Sequence, residues 1–245
     1  MSAPSGGTTA RHPRLVFADP GEAAELAVFL GRLLRWEKNA AVRLRGTGDG
    51  VLGVFARPAR FEVLAVRTAR LPEPVALDAT VSAGELLEGI DEAGESVSVP
   101  GPVTGPPWAG VLPPRGGWRT VGELPYEAVR ATAAAVVAEF RRRSEALPPA
   151  GRTREALDAL AEEIWSRPLG GGTGLPLRAV HAAQALGMLR PAGPAPAAGP
   201  HGPAPAGPAP AVAVLTAGTW LRLRTPYGSI AVRRGGGTGL SVTPL

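Results

Sequence analysis

Residues 191–210 contain nothing but eight Pro, seven Ala, four Gly and His201. Each proline fixes φ and removes a backbone donor, so eight of them preclude a helix. Nothing in the tract is large enough to pack. It reads as a semi-rigid polyproline-like tether, ~60 Å long if fully extended at ~3.1 Å per residue. Strand-like sequence resumes at Val212, so the tether is an insertion. The chain has 245 residues, which suits one or two domains. Hydrophobic residues make up 44% and aromatics 5%, so the core must rest on Leu, Val and Ala. Cysteine is absent. That excludes disulfide frameworks, thiol nucleophiles and cysteine-ligated metal sites together.

Before the tether, periodicity divides the chain. Residues 1–13 are small and polar and read as a disordered leader, without the apolar stretch of a secretory signal. Asp19-Pro20-Gly21-Glu22 has the form of a capped helix start, with Asp19 as the cap. Leu26, Phe29, Leu30, Leu33 and Leu34 then recur at helical spacing as far as Trp36. Strands are expected at Ala41–Arg45, Val51–Ala56, Phe61–Leu71, Val75–Val81 and Ser96–Val99, with a short helix opened by the capping box Ser82-Ala83-Gly84-Glu85. From Pro100 to Val121 no period survives, yet Trp108 and Trp118 lie there among prolines with Arg115. A loop of that length inside a domain is unusual and is often functional.

Three helices follow, at Tyr126–Ser144, Arg154–Trp165 and Leu175–Leu189, then strands around the turn Thr225-Pro226-Tyr227-Gly228. The expected class is α+β. An N-terminal helix-plus-antiparallel-sheet module spans 14–122, and a C-terminal module of three helices and a hairpin, winged-helix-like, spans 123–245. In the third helix Arg178, His181 and Gln184 form one polar stripe, in the place of a recognition helix. Arg and Gln can make paired hydrogen bonds to base edges. Alternation puts Trp220, Arg222 and Arg224 on one face of the hairpin and Leu221 and Leu223 on the other.

Charge points the same way. Lys38 is the single lysine, and arginine-rich usage accompanies a GC-rich genome. Codon bias does not explain why acids stop at Glu163. From Ser166 onward there are seven arginines and no Asp or Glu, whereas the first 165 residues hold 19 basic against 21 acidic groups. A one-signed region attracts anions. Arg178, His181, Gln184, Arg222, Arg224, Arg233 and Arg234 are therefore the candidate nucleic-acid contacts, provided that acids such as Glu162 and Glu163 do not neutralise them. The alternative is a protein-interaction adaptor or chaperone-like protein that docks a partner on Trp108, Trp118 and Arg115.

Catalysis has little support. His12, His181 and His201 have no neighbouring ligand at metal spacing, and no GxSxG elbow occurs. Gly-Gly-Gly-Thr-Gly-Leu occurs at 170–175 and 235–240, without the lysine of a phosphate-binding P-loop. No cofactor, metal or catalytic residue is expected, and an enzyme would have to lack any recognisable motif. No run approaches the ~20 apolar residues of a membrane span, so a cytoplasmic protein is expected. Partner and oligomeric state are not legible.

The segments Thr216–Ile230, which includes Trp220-Leu221-Arg222-Leu223-Arg224, Leu175–Gly187 and Gly105–Trp118 resemble parts of an uncharacterised protein family from Streptomyces and other actinobacteria. The likeness covers most of the chain apart from the leader and tether. It implies a cytoplasmic actinobacterial protein and transfers no activity to any residue. The arrangement of residues 20–99 is also similar to small α+β secretion-chaperone and adaptor folds.

Overall fold

A computed structural model describes residues 13–190 and 211–234. The expected leader (apart from its last residue), the tether and the second Gly-rich copy lie outside the described residues. The chain forms two units, Met1–Ala56 with Arg67–Val111, and Arg57–Val66 with Leu112–Leu245.

The first unit contains β1 (Arg14–Val16), α1 (Glu22–Trp36), β2 (Ala41–Thr47), β3 (Val51–Ala56), the later residues of β4 (Leu64–Arg70), β5 (Ala76–Ser82), α2 (Ala83–Glu88), β6 (Ile90–Asp91) and β7 (Ser96–Ser98). β2 pairs antiparallel with both β3 and β5, and β1, β7 and β6 form a small second sheet. Leu26, Phe29, Leu30 and Leu33 are buried along one side of α1, as their spacing predicts. Full burial of each such side chain is worth ~1.5–3 kcal/mol.

The start of α1 differs from the expected cap. Gly21 stands at the N-cap with φ 83° and no side chain caps the helix from there. Asp19 instead accepts two hydrogen bonds from Arg70, at 2.7 and 2.8 Å. The helix N-terminus is covered by Glu95, whose carboxylate accepts from Gly21 N at 2.6 Å and Ala23 N at 3.2 Å. A carboxylate is favoured there because the first N–H groups have no intrahelical partner. Ser82, by contrast, caps α2 as its box predicts, accepting from Glu85 N at 3.4 Å.

In the second unit, β8 (Arg119–Pro125) leads into α3 (Tyr126–Ala146), α4 (Arg154–Ser166) and α5 (Leu177–Ala185), followed by β9 (Ala211–Ala217), β10 (Trp220–Thr225) and β11 (Gly228–Arg233). Its sheet runs β4-β11-β10-β9-β8, with Leu64–Val66 supplying the β4 edge. Every pairing is antiparallel. Leu221, Leu223, Ile230 and Val232 are buried on one face of this sheet.

Two differences from the sequence reading affect function. The third helix is shorter than expected because Pro176 begins it and Gly187, at φ 76°, follows its end. The hairpin is also no projecting wing. β10 pairs with β9 on its other side, and β11 pairs with Val66, Ala65 and Leu64. β8, which has no readable period, pairs with β9 across a register shift between Thr120 and Gly122. Satisfying both edges of the hairpin turns it into the middle of a sheet. The shared description is α+β with antiparallel sheets.

Candidate anion-binding face

Alternation along β10 buries Leu221 and Leu223 and turns Trp220, Arg222 and Arg224 to the opposite face. Arg222 is half-buried. Its Nε donates to Ser229 Oγ at 2.9 Å, and its guanidinium carbon lies 5.5 Å from the centre of the Trp118 ring. Ser229 is itself buried, which holds that end of the guanidinium in place. Arg224, two residues along, is exposed. Arg233 lies opposite Trp220 in the β10–β11 register, with its guanidinium carbon 5.7 Å from the indole centre. Arg234 is held at the end of the sheet, where its Nη2 donates to Thr216 Oγ1 at 3.0 Å.

Every Asp and Glu of the chain lies between Asp19 and Glu163, within the described residues. None forms an ion pair with Arg222, Arg224 or Arg233. Burial, followed by the like charge of Arg224, lowers the proton affinity of Arg222 from the ordinary arginine value. A guanidinium withdrawn from water is costly unless an anion offsets the lost hydration.

The first unit supplies an internal control. Arg43-Leu44-Arg45 in β2 repeats Arg222-Leu223-Arg224 in β10, and both central leucines are fully buried. In β2, Asp78 stands directly opposite Arg45. It accepts from Arg43 Nε and Nη2 at 2.7 and 2.8 Å, while Arg45 Nε lies 4.0 Å away. Arg43 Nη1 also donates to the Ala109 carbonyl. The hydrogen bonds to Asp78 raise the proton affinity of Arg43, the reverse of the change at Arg222. In β10 the residues opposite Arg222 and Arg224 are Leu215, Ala231, Ala213 and Ser229, none of them acidic.

Residues 113–237 match the family described as Domain of unknown function (DUF8185), and residues 10–110 match Domain of unknown function (DUF8010). The first of these matches takes in more than half of the 245 residues. The chain belongs to the DUF8185 family. No curated protein matches it. The DUF8185 region contains Trp118, Arg222, Arg224 and Arg233, and thus the whole of the face just described.

The α5 stripe of this DUF8185 region is engaged internally. Arg178 Nη1 is ion-paired with Glu62, and its Nη2 donates to Glu162 at 2.6 Å. The condition that Glu162 leave this arginine free therefore fails. His181 stacks on Trp165 at 4.1 Å and meets the Phe61 ring edge-on at 5.0 Å. Burial lowers its pKa to about 4, so the imidazole is neutral near pH 7. Gln184 is the exposed member of the stripe. Arg143 and Arg167 are likewise ion-paired, with Glu163 at 2.6 Å and Glu139 at 2.7 Å.

The aperiodic loop contributes to each unit separately. Trp108, in a short 3-10 turn over Pro107–Gly110, belongs to the first unit and is half-buried. Trp118 belongs to the second, where its Nε1 donates to the Pro114 carbonyl at 2.8 Å and its ring meets Arg222. Arg115 is exposed in that same unit. The first Gly-rich copy is a closed turn. Leu169 N donates to Leu175 O at 2.6 Å, and Leu177 N donates to Arg167 O at 2.8 Å, which pins its base. A Cβ on Gly122 would come within 2.8 Å of Thr173 in the turn, so β8 needs glycine at the contact. Within the turn Gly171, Gly172 and Gly174 have positive φ (82°, 69° and 68°), so backbone conformation accounts for these three glycines. Among the described residues, no group of His, Cys, Asp and Glu could hold a metal ion, and no helix is long and apolar enough to cross a membrane.

Of the partners of Arg222, Trp118 is expected from sequence only as a protein-docking residue, and Ser229 is absent from the sequence reading of the site. One signal for the site was available: the Arg-Leu-Arg tripeptide occurs twice, and the second copy alone lies in the region without acids.

Proposed function

We propose that this chain is a non-enzymatic binding protein whose second unit takes up a polyanion, nucleic acid being the class that fits best, on the arginine face of β10 and β11. The observation that carries the reading is Arg222, half-buried beside Arg224 with no carboxylate partner among the described residues. Its Nε is occupied by Ser229, and the Nη groups of a guanidinium match two phosphate oxygens in a fork that an ammonium cannot provide. Charge distribution supports the same reading. The second unit has 17 basic and 9 acidic residues, +8, whereas the first has 9 and 12, −3. Such an asymmetry steers anions toward one unit over several ångströms to a Debye length. The contact is assigned to the sheet, since the arginine of α5 is already neutralised by two glutamates.

Fluorescence anisotropy with a labelled oligonucleotide across a salt series tests the proposal. Counterion release predicts a linear fall of log affinity with log salt. Arg222→Ala with Arg224→Ala reduces the magnitude of that slope by about 1 for each phosphate no longer neutralised. Binding that is indifferent to salt, or unchanged in the double variant, would falsify the reading.

A further inference from the structure

Three features of the face bear on which polyanion it suits. The first is that neither α5 nor the β10–β11 ribbon is placed to enter a duplex groove. Base readout in a major groove requires a projecting helix or a two-stranded ribbon. In the second unit α5 buries Leu177, Ala179, Val180, Ala182 and Ala183, and its arginine is ion-paired. The β10–β11 ribbon is enclosed by β9 and β4, and Tyr227 at its turn lies under the Arg190 guanidinium at 4.1 Å. Neither element projects.

The second feature is the alternation of charge and ring. Arg222 is paired with Trp118 and Arg233 with Trp220 on one face of the sheet. Both indoles are half-buried, and among the described residues neither has an aromatic neighbour. The third is spacing. Arg222 and Arg224 are two residues apart on one strand, ~6.8 Å at ~3.4 Å per residue, a separation on the scale of neighbouring phosphates in an extended strand. Flat sheets carrying arginines and exposed aromatic faces bind single strands by neutralising the backbone and stacking unpaired bases. A duplex keeps its bases stacked on one another and offers none to an indole.

Resting on the polyanion reading above, we infer that the ligand is a single-stranded nucleic acid, with successive phosphates on Arg222 and Arg224 and unpaired bases against Trp118 and Trp220. Because every base has a π-face, recognition of this kind tolerates many sequences. Arg233, beside the Trp220 ring, adds charge.

The test uses the full chain, with labelled oligothymidylate, a duplex of equal length and inorganic polyphosphate as the probes. Oligothymidylate is expected to bind at least tenfold more tightly than either of the others at one salt concentration. Trp220→Ala and Trp118→Ala are each expected to lose about tenfold in oligothymidylate affinity and markedly less in polyphosphate affinity. Trp220→Phe and Trp118→Phe keep a stacking ring and are expected to retain most of the binding, which separates loss of stacking from loss of folding. Equal affinity for the three probes, or preference for the duplex, overturns the inference and leaves the polyanion reading standing. So does full affinity in folded tryptophan-to-alanine variants. Failure of all three probes to bind overturns both.

Discussion

The two Arg-Leu-Arg strands share sequence, backbone conformation and a buried central leucine, yet they present opposite surfaces. In β2 the guanidinium groups converge on Asp78 and the charge is largely spent within the unit. In β10 the positions across the sheet are small or apolar, so the charge of Arg222 and Arg224 is left for something outside. The difference lies in the neighbouring strands. It teaches that an arginine's role in a sheet is set by what the register places beside it, since cross-strand neighbours are the nearest groups available to it.

The leucines test the part that the strands have in common. Leu44→Ala and Leu223→Ala each remove a fully buried side chain and should lower stability by ~2–5 kcal/mol. Denaturant titration followed by circular dichroism reads this, with the loss assigned to each unit by its own transition if the two unfold separately. A much smaller loss at one site would mean that the two strands are not equivalent in packing.

Acidification should weaken the second unit before the first. His181 is neutral in the folded chain with a pKa of about 4 and titrates near 6.5 when unfolded. Protons therefore bind the unfolded form first. Its contribution is intact above pH 6.5, declines between 6.5 and 4, and is gone below that, a total of ~2–3 kcal/mol once partial solvent screening is allowed for. The first unit has no histidine among its described residues, and Arg43 keeps Asp78 ionised below its ordinary range. The stability owed to Asp78 is present at neutral pH and is lost as pH falls below about 4. Thermal melts from pH 7 to 4 should show this order, and His181→Phe should flatten the acid loss. Simultaneous softening of both units would refute the assignment to His181.

Binding should distinguish the two motifs by a narrower margin. Arg222→Ala with Arg224→Ala is expected to weaken oligonucleotide binding by about ten- to hundredfold, since charge-assisted hydrogen bonds are worth ~1.5–3 kcal/mol each before non-additivity. Arg43→Ala with Arg45→Ala should leave affinity within about twofold, because a charge already paired to Asp78 offers little to an anion. Equal losses in the two double variants would place the contact on overall charge, not on the β10 face.

The smallest effect is expected from Asp78→Ala. Removing that carboxylate leaves Arg43 and Arg45 in the condition of Arg222 and Arg224, and polyphosphate affinity should rise a few-fold. No rise would show that Trp118 and Ser229 are needed to shape an anion site, in addition to uncompensated charge.

Much of the local architecture was readable in advance. The 3.6-residue recurrence of Leu26, Phe29, Leu30 and Leu33, the Ser82 box and the alternation in Trp220–Arg224 each act over a few residues, and each element forms where they indicate. Readings that required distant partners fared differently. Asp19 looks like a helix cap until Glu95 is seen to occupy the N-terminus of α1. Arg178 looks like a groove contact until Glu62, 116 positions away, is found against it. β8 has a mixed composition and a register shift, so its pairing with β9 leaves no period to read.

The amino-acid order alone indicated α1, α2, α3, α4 and most of the strands, the placing of Leu223 on the face opposite Arg222 and Arg224, and the absence of acids after Glu163, because propensity, periodicity and net charge are properties of near neighbours or of simple counts. Which arginines are neutralised was settled by folding. Ion pairing falls off over a few ångströms, and the approach of Asp78 to Arg43, of Glu62 to Arg178 and of Trp118 to Arg222 depends on chain segments that meet through strand register and helix packing.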